Sequence, residues 1–258
     1  MILWIESHST WMIVVLAFGL SYIMAIIIFA VAVAVSRRRI ASDLKATSPV
    51  MLTPLSVVAG LLIVFLSSHV WSNLDRANAY IAQEASAIRE CLILADAFPD
   101  DIRTEVGHSV KDYLHFVEVE DWPAMNESRA SLRPLPSGLT AAVRTLLSFV
   151  PTQPGQQLAQ QRALVALEQA LEARRGRIML SQTVIAPIQW VVIFTLAALV
   201  LLTIAMVHID RQATVAINLF IFSSAVAACL ALLMVCDRPF AAGGNTVEPA
   251  ALREISPE

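Results

Sequence analysis

Three sets of side chains have the types and spacing to do chemistry. His108, Asp112 and His115 stand at i, i+4 and i+7, so they share one face of a helix. Imidazole and carboxylate donors in that pattern are what a divalent cation takes. The neighbouring residues Val106, Val110, Tyr113 and Val117 make the apolar stripe of the same helix, which turns the histidine face toward water. A second set, His69, Asn73, Arg76, Tyr80 and Glu84, advances in steps of four, three, four and four. It starts where Ser67, Ser68 and His69 form a polar cluster at the end of an apolar run. Ionisable groups at that depth face protein or a water-filled path. The set therefore reads as a vestibule or pore mouth, or more plainly as the polarity of a helix leaving a bilayer. The third is Asp237-Arg238, which closes the last apolar run before Pro239. Adjacent helical residues do not face each other, so Asp237 is expected to pair with Arg76 or Arg177. Arg238 complements a helix C-terminus, and Pro239 stops the helix.

Enzyme chemistry finds no footing. There is no HExxH, no GxSxG and no glycine-rich phosphate loop. No cofactor or metal is expected, and the chain is not expected to be an enzyme. The three cysteines, Cys91, Cys229 and Cys236, form no CxxC pair and read as small buried hydrophobes. The net charge of −3 offers no basic surface for nucleic acid.

The elements that must position these residues follow from where the apolar residues lie. The chain is 57% hydrophobic and 15% charged, with a mean hydropathy of +0.67. A hydrocarbon core of about 30 Å needs roughly 20 apolar helical residues. Four windows supply them without an Asp, Glu, Lys or Arg: Trp11–Val35, Pro54–Trp71, Pro187–Val207 and Ala213–Cys236. No basic residue precedes the first window and Arg37-Arg38-Arg39 follows it, the order of an uncleaved anchor and not of a signal peptide. The expected fold is an all-α membrane protein of four transmembrane helices, with a helical insert between spans two and three. A first hairpin occupies residues 1–72, the insert 73–182, a second hairpin 183–238 and an extended tail 239–258.

Within the insert, Leu74, Ala77, Ile81, Ala85, Ile88, Leu92 and Ala95 recur at threes and fours, the period of a helix that continues the second span. Pro99 ends it, and Asp100-Asp101 favour a new helix start. The second stripe reaches Asp121. A short third helix is expected from Pro123 to Leu132, a fourth that Ser137 would cap and that runs to Val150, and a long fifth from Gln156 toward Pro187. Trp11, Trp71 and Trp190 fall at three span ends that share one face by span counting, as an interfacial belt would. Positive charges are level across the bilayer: Arg37, Arg38, Arg39, Lys45 and Arg211 on one side, Arg76, Arg174, Arg175, Arg177 and Arg238 on the insert's side. The bare N-terminus against the basic first loop leans toward an insert outside. The chain belongs in a cell's inner or plasma membrane, with the bilayer as its first partner.

Two stretches carry a family resemblance. "NAYIAQEASAIRECLILADAFPDDIRTEV" (78–106) is similar to a Glu-Ala-x-Ala-Ile segment leading into a Leu-Pro-x-x-x-Arg helix turn, and "CDRPFAAGGNTVEPAALRE" (236–254) resembles a terminal Asp-Arg-Pro motif followed by Pro-x-x-Leu. Both belong to a family of membrane proteins described as bestrophin-like, whose layout of two spans, helical insert and two spans matches that of this chain. The resemblance implies a homo-oligomeric anion channel with a pore lined by the second span, and an insert on the cytoplasmic side. The alternative function is a non-conducting sensor or scaffold whose insert binds a protein partner.

Overall fold

The computed structural model describes residues 10–36, 49–133, 135–240, 247 and 249–255. Among these every regular element is helical. The chain clusters into two compact units, Met1–Ser72 with Val184–Asp237, and Asn73–Thr183 with Arg238–Glu258. The basic cluster Arg37–Arg39 and Lys45 lies outside the described residues.

The first unit contains α1 (Thr10–Ser36), the first part of α2 (Leu52–Ala95), α7 (Pro187–Val207) and α8 (Gln212–Cys236). All four helices are long and apolar enough to cross a membrane. They are apolar all round, as spans are, so packing depends on side-chain size. The face that α1 buries is Ile13, Ala17, Ser21 and Ala25, and the small residues Ala17, Ser21 and Ala25 let another helix approach closely. That helix is α8: the Tyr22 ring stacks on Phe220 with centroids 5.4 Å apart, and its hydroxyl meets Ser224 Oγ at 2.9 Å. Pro187 sits at the start of α7, where a missing N–H costs nothing.

The second unit is built from the rest of α2, then α3 (Asp100–Phe116), a π turn (Val117–Asp121), α4 (Trp122–Asn126), α5 (Ser137–Ser148), α6 (Pro154–Ser181) and the single turn α9 (Ala250–Arg253). Its core holds the stripes read from the sequence, among them Ala77, Ile81, Ile88, Val110, Tyr113 and Leu167. Two close approaches need glycine. A Cβ on Gly138 would come 2.6 Å from the Tyr113 backbone nitrogen, and one on Gly176 would come 2.5 Å from the Tyr80 ring. The tail, expected to be extended, places Phe240, Val247, Leu252 and Ile255 in this core.

Three boundaries differ from expectation. The third helix stops at Asn126, where Ser128 takes a left-handed φ of 53° and Arg129 N–H reaches back to the Ala124 carbonyl. Pro136, not Ser137, precedes the first residue of α5 and accepts from Thr140. Pro154 opens α6 two residues before Gln156, because proline at the first helical position is already set to helical φ.

The π turn has a geometric cause. Tyr113, Val117, Asp121 and Met125 are all buried, a run of three steps of four. Each such step overshoots an α-helical turn by about 40°, so a plain α-helix would carry Met125 well off the face. The wider turn, with Trp122 N–H donating to the Val117 carbonyl, takes up that drift.

Candidate functional site

The most unusual chemistry sits in the core of the second unit. Glu84 on α2 and Arg177 on α6 both have fully buried side chains. Arg177 donates Nε to Glu84 Oε2 at 2.9 Å and Nη2 to Oε1 at 3.0 Å, a two-pronged pair of the strong kind. Tyr113 on α3 donates its hydroxyl to the same Oε1 at 2.6 Å. Beside this pair, Arg174 donates Nε and Nη2 to Asp121 at 2.7 and 2.9 Å, and Arg177 Nη2 lies 3.5 Å from Asp121 Oδ2. Two cations and two anions are thus buried together, each pair closed by its own hydrogen bonds. The guanidinium planes are covered by rings: Arg177 lies 5.2 Å over Trp122 and Arg174 lies 5.6 Å over Phe116. Trp122 in turn packs edge-on against Phe240 of the tail.

Burial and charge set the titration of these groups. Burial, then the Glu84 charge, pushes the Tyr113 hydroxyl well above its ordinary value near 10. For Arg177 burial acts downward, and the Glu84 carboxylate outweighs it, so the guanidinium is held charged. Nearby on α2, burial with the added charge of Glu90 lifts the Cys91 thiol to about 12.

The set His69, Asn73, Arg76, Tyr80 and Glu84 does not share one exposed face. His69 and Arg76 are exposed, Tyr80 is half-buried against Gly176, and Asn73 and Glu84 are buried. Steps of four drift in one direction, and by Glu84 the drift has carried the side chain into the core. Arg177 is held by Glu84 and Asp121. The Asp237 carboxylate accepts from Ile185 N–H at 2.9 Å, pinning the short link ahead of α7 to the end of α8. His108, Asp112 and His115 are exposed along α3, and among the described residues no three metal-binding side chains converge.

Sequence pattern alone does not single out the cluster, although its signal is present. Glu84 falls between Ile81 and Ile88 on the apolar stripe of α2, and Asp121 extends the stripe of α3. Arg174 and Arg177 continue Ala163, Ala166 and Ala170 on α6. Four charges on three apolar stripes, two of each sign, mark a paired core.

The fold and its burial pattern define an all-α, multi-pass integral membrane protein. Residues 19–252 match the Bestrophin-like domain, and the chain belongs to that family. Solved structures of a bacterial bestrophin homologue from Klebsiella pneumoniae share the fold. One obtained by zinc phasing has a TM-score of 0.70 at 12% identity, covering 94% of this chain and 95% of that one. Two single-substitution forms give 0.69 and 0.70 at 13% identity, covering 94% and 96% of this chain and 96% of each of theirs. No curated protein matches the chain.

Proposed function

We propose that the chain assembles as a homo-oligomer in a cell's inner or plasma membrane and conducts anions along a path lined by α2. One observation carries this reading. Only 11% of the apolar window of α2 is buried within the chain, against 22%, 33% and 39% for α1, α7 and α8. A helix left so bare by its own chain is available both to neighbouring copies and to a pathway. It also carries small and polar positions, with Gly60, Ser68 and His69 exposed and Ser56 and Ser67 half-exposed. Membership of the Bestrophin-like family supports the same reading. At the mouth, His69 and Arg76 supply exposed donors that favour negative ions, while Asn73, Tyr80 and Glu84 hold the helix in place.

Planar-bilayer recording of the purified protein under a chloride gradient tests this. A reversal potential that follows chloride, with conductance lowered by Arg76→Ala and His69→Ala, is the expected result. A silent but intact oligomer across pH and calcium conditions would instead favour the scaffold whose insert binds a partner. A monomer in mass photometry would overturn the assembly itself.

A further inference from the structure

Resting on the homo-oligomeric reading, we infer that Arg89 of one copy docks into an acidic cleft on α6 of the next, so that the second units close a ring through two different faces. The cleft has a volume of about 310 Å³ and is lined by Glu168, Glu172, Arg175 and the leucines Leu132, Leu135 and Leu171. Arg174 also borders it but is turned to Asp121. Two carboxylates against Arg175 leave one negative charge over. Leu132 and Leu135 are 41% and 74% exposed, an apolar wall left open among the described residues. A carboxylate pair beside apolar surface suits a guanidinium on a long aliphatic stem.

Arg89 has that chemistry and lies at the right height. It is exposed on the part of α2 that belongs to the second unit, and among the described residues neither it nor Glu168 nor Glu172 has an ion-pair partner. Helices α2 and α6 run antiparallel. At one end Gly176 is packed on Tyr80. At the other, Phe98 contacts Phe149, whose carbonyl accepts from Gln160. Measured from the Tyr80–Gly176 contact at 1.5 Å per residue, Arg89 is about 14 Å along α2, and Glu172 and Glu168 are about 6 and 12 Å along α6. A neighbour related by rotation about an axis along these helices keeps its heights, so Arg89 arrives level with the cleft. Unlike faces that meet in this way close into rings. Opposite charges at one level then fix the register of the contact.

The test uses the full-length protein in detergent. Mass photometry across a dilution series should show Arg89→Glu, and separately Glu168→Lys with Glu172→Lys, dissociating at concentrations about tenfold higher than the parent. The triple variant that reverses both faces should recover the parent's behaviour. A second readout uses the conservative Arg89→Lys variant and zero-length amine–carboxylate coupling. Peptides joining position 89 to Glu168 or Glu172 should appear in the coupled dimer and not in monomer. If the parent is oligomeric but the reversals leave dissociation unchanged and no such peptide forms, the docking is wrong and the assembly stands. If the parent is monomeric, both fail together. A triple variant that stays dissociated, with helicity intact, also overturns the docking.

Discussion

The two units bury polar groups by opposite means. Along the spans of the membrane unit the buried polar side chains among the described residues are hydroxyls, Ser21 and Ser223, with the Asp237 carboxylate buried only at the end of α8. Thr195 and Thr203 return their hydroxyl protons to carbonyls one turn back. In the second unit a four-charge cluster sits where an apolar residue would serve as well. The difference follows from the surroundings. Spans gain nothing by hiding apolar surface from lipid, so they associate through small residues and close contact, and an unpaired charge there would be costly. The second unit gains from removing apolar surface from water, which leaves room for ion pairs that fix which helix faces which. A buried pair adds little net stability over an apolar one, and losing half of it is severe.

That contrast can be broken at graded cost. Glu84→Ala strands the Arg177 guanidinium in the core and should destabilise the second unit by about 3–5 kcal/mol, read as a fall in the thermal midpoint and loss of amide protection along α3. Replacing both partners, Glu84→Met with Arg177→Met, should recover much of that loss; a double variant as unstable as the single one would mean the charges do more than match each other. In the membrane unit, Asp237→Ala leaves the buried Ile185 N–H without its acceptor and should cost about 1–3 kcal/mol. Tyr113→Phe removes one hydrogen bond from a carboxylate that keeps two, for about 1 kcal/mol. Ser223→Ala, whose hydroxyl has no partner among the described residues, should move stability by less than about 0.5 kcal/mol. A large loss there would show that hydroxyls in the spans are as specific as charges in the second unit.

Alkaline pH sharpens the same comparison. Tyr113 and Cys91 both titrate higher in the folded protein than their ordinary values near 10 and 9. The unfolded chain therefore releases these protons first, and stability present at neutral pH falls as pH rises above about 9. Tyr113→Phe should flatten that fall above pH 10 in unfolding measurements, and a curve that keeps its full slope would rule out the tyrosine as its source.

Much of this architecture is legible in the residues alone. The four spans follow from uncharged apolar windows longer than a bilayer needs, and α2 and α3 from their stripes. The departures have physical causes. Helix ends at Asn126 and Pro136 depend on a left-handed serine and a proline cap, which hydropathy does not report. Glu84 groups with His69 by spacing because steps of three and four match one face over short stretches, while drift over four steps separates exposed from buried. That the Asp237 carboxylate serves a backbone N–H ahead of α7 is likewise something neither hydropathy nor spacing reports. The conducting role proposed for α2 rests on how bare that helix is, which hydropathy and spacing do not report.

The π turn at Val117–Asp121 has one more consequence, for anyone lining this sequence up with distant relatives. It shifts the frame in which helical positions are counted: residues before it and after it belong to the same rod but to different registers. At 12–13% identity a relative with a plain α-helix here would need a one-residue gap to keep Asp121 and Met125 opposite their counterparts. Aligned without it, a retained acid would be scored as lost.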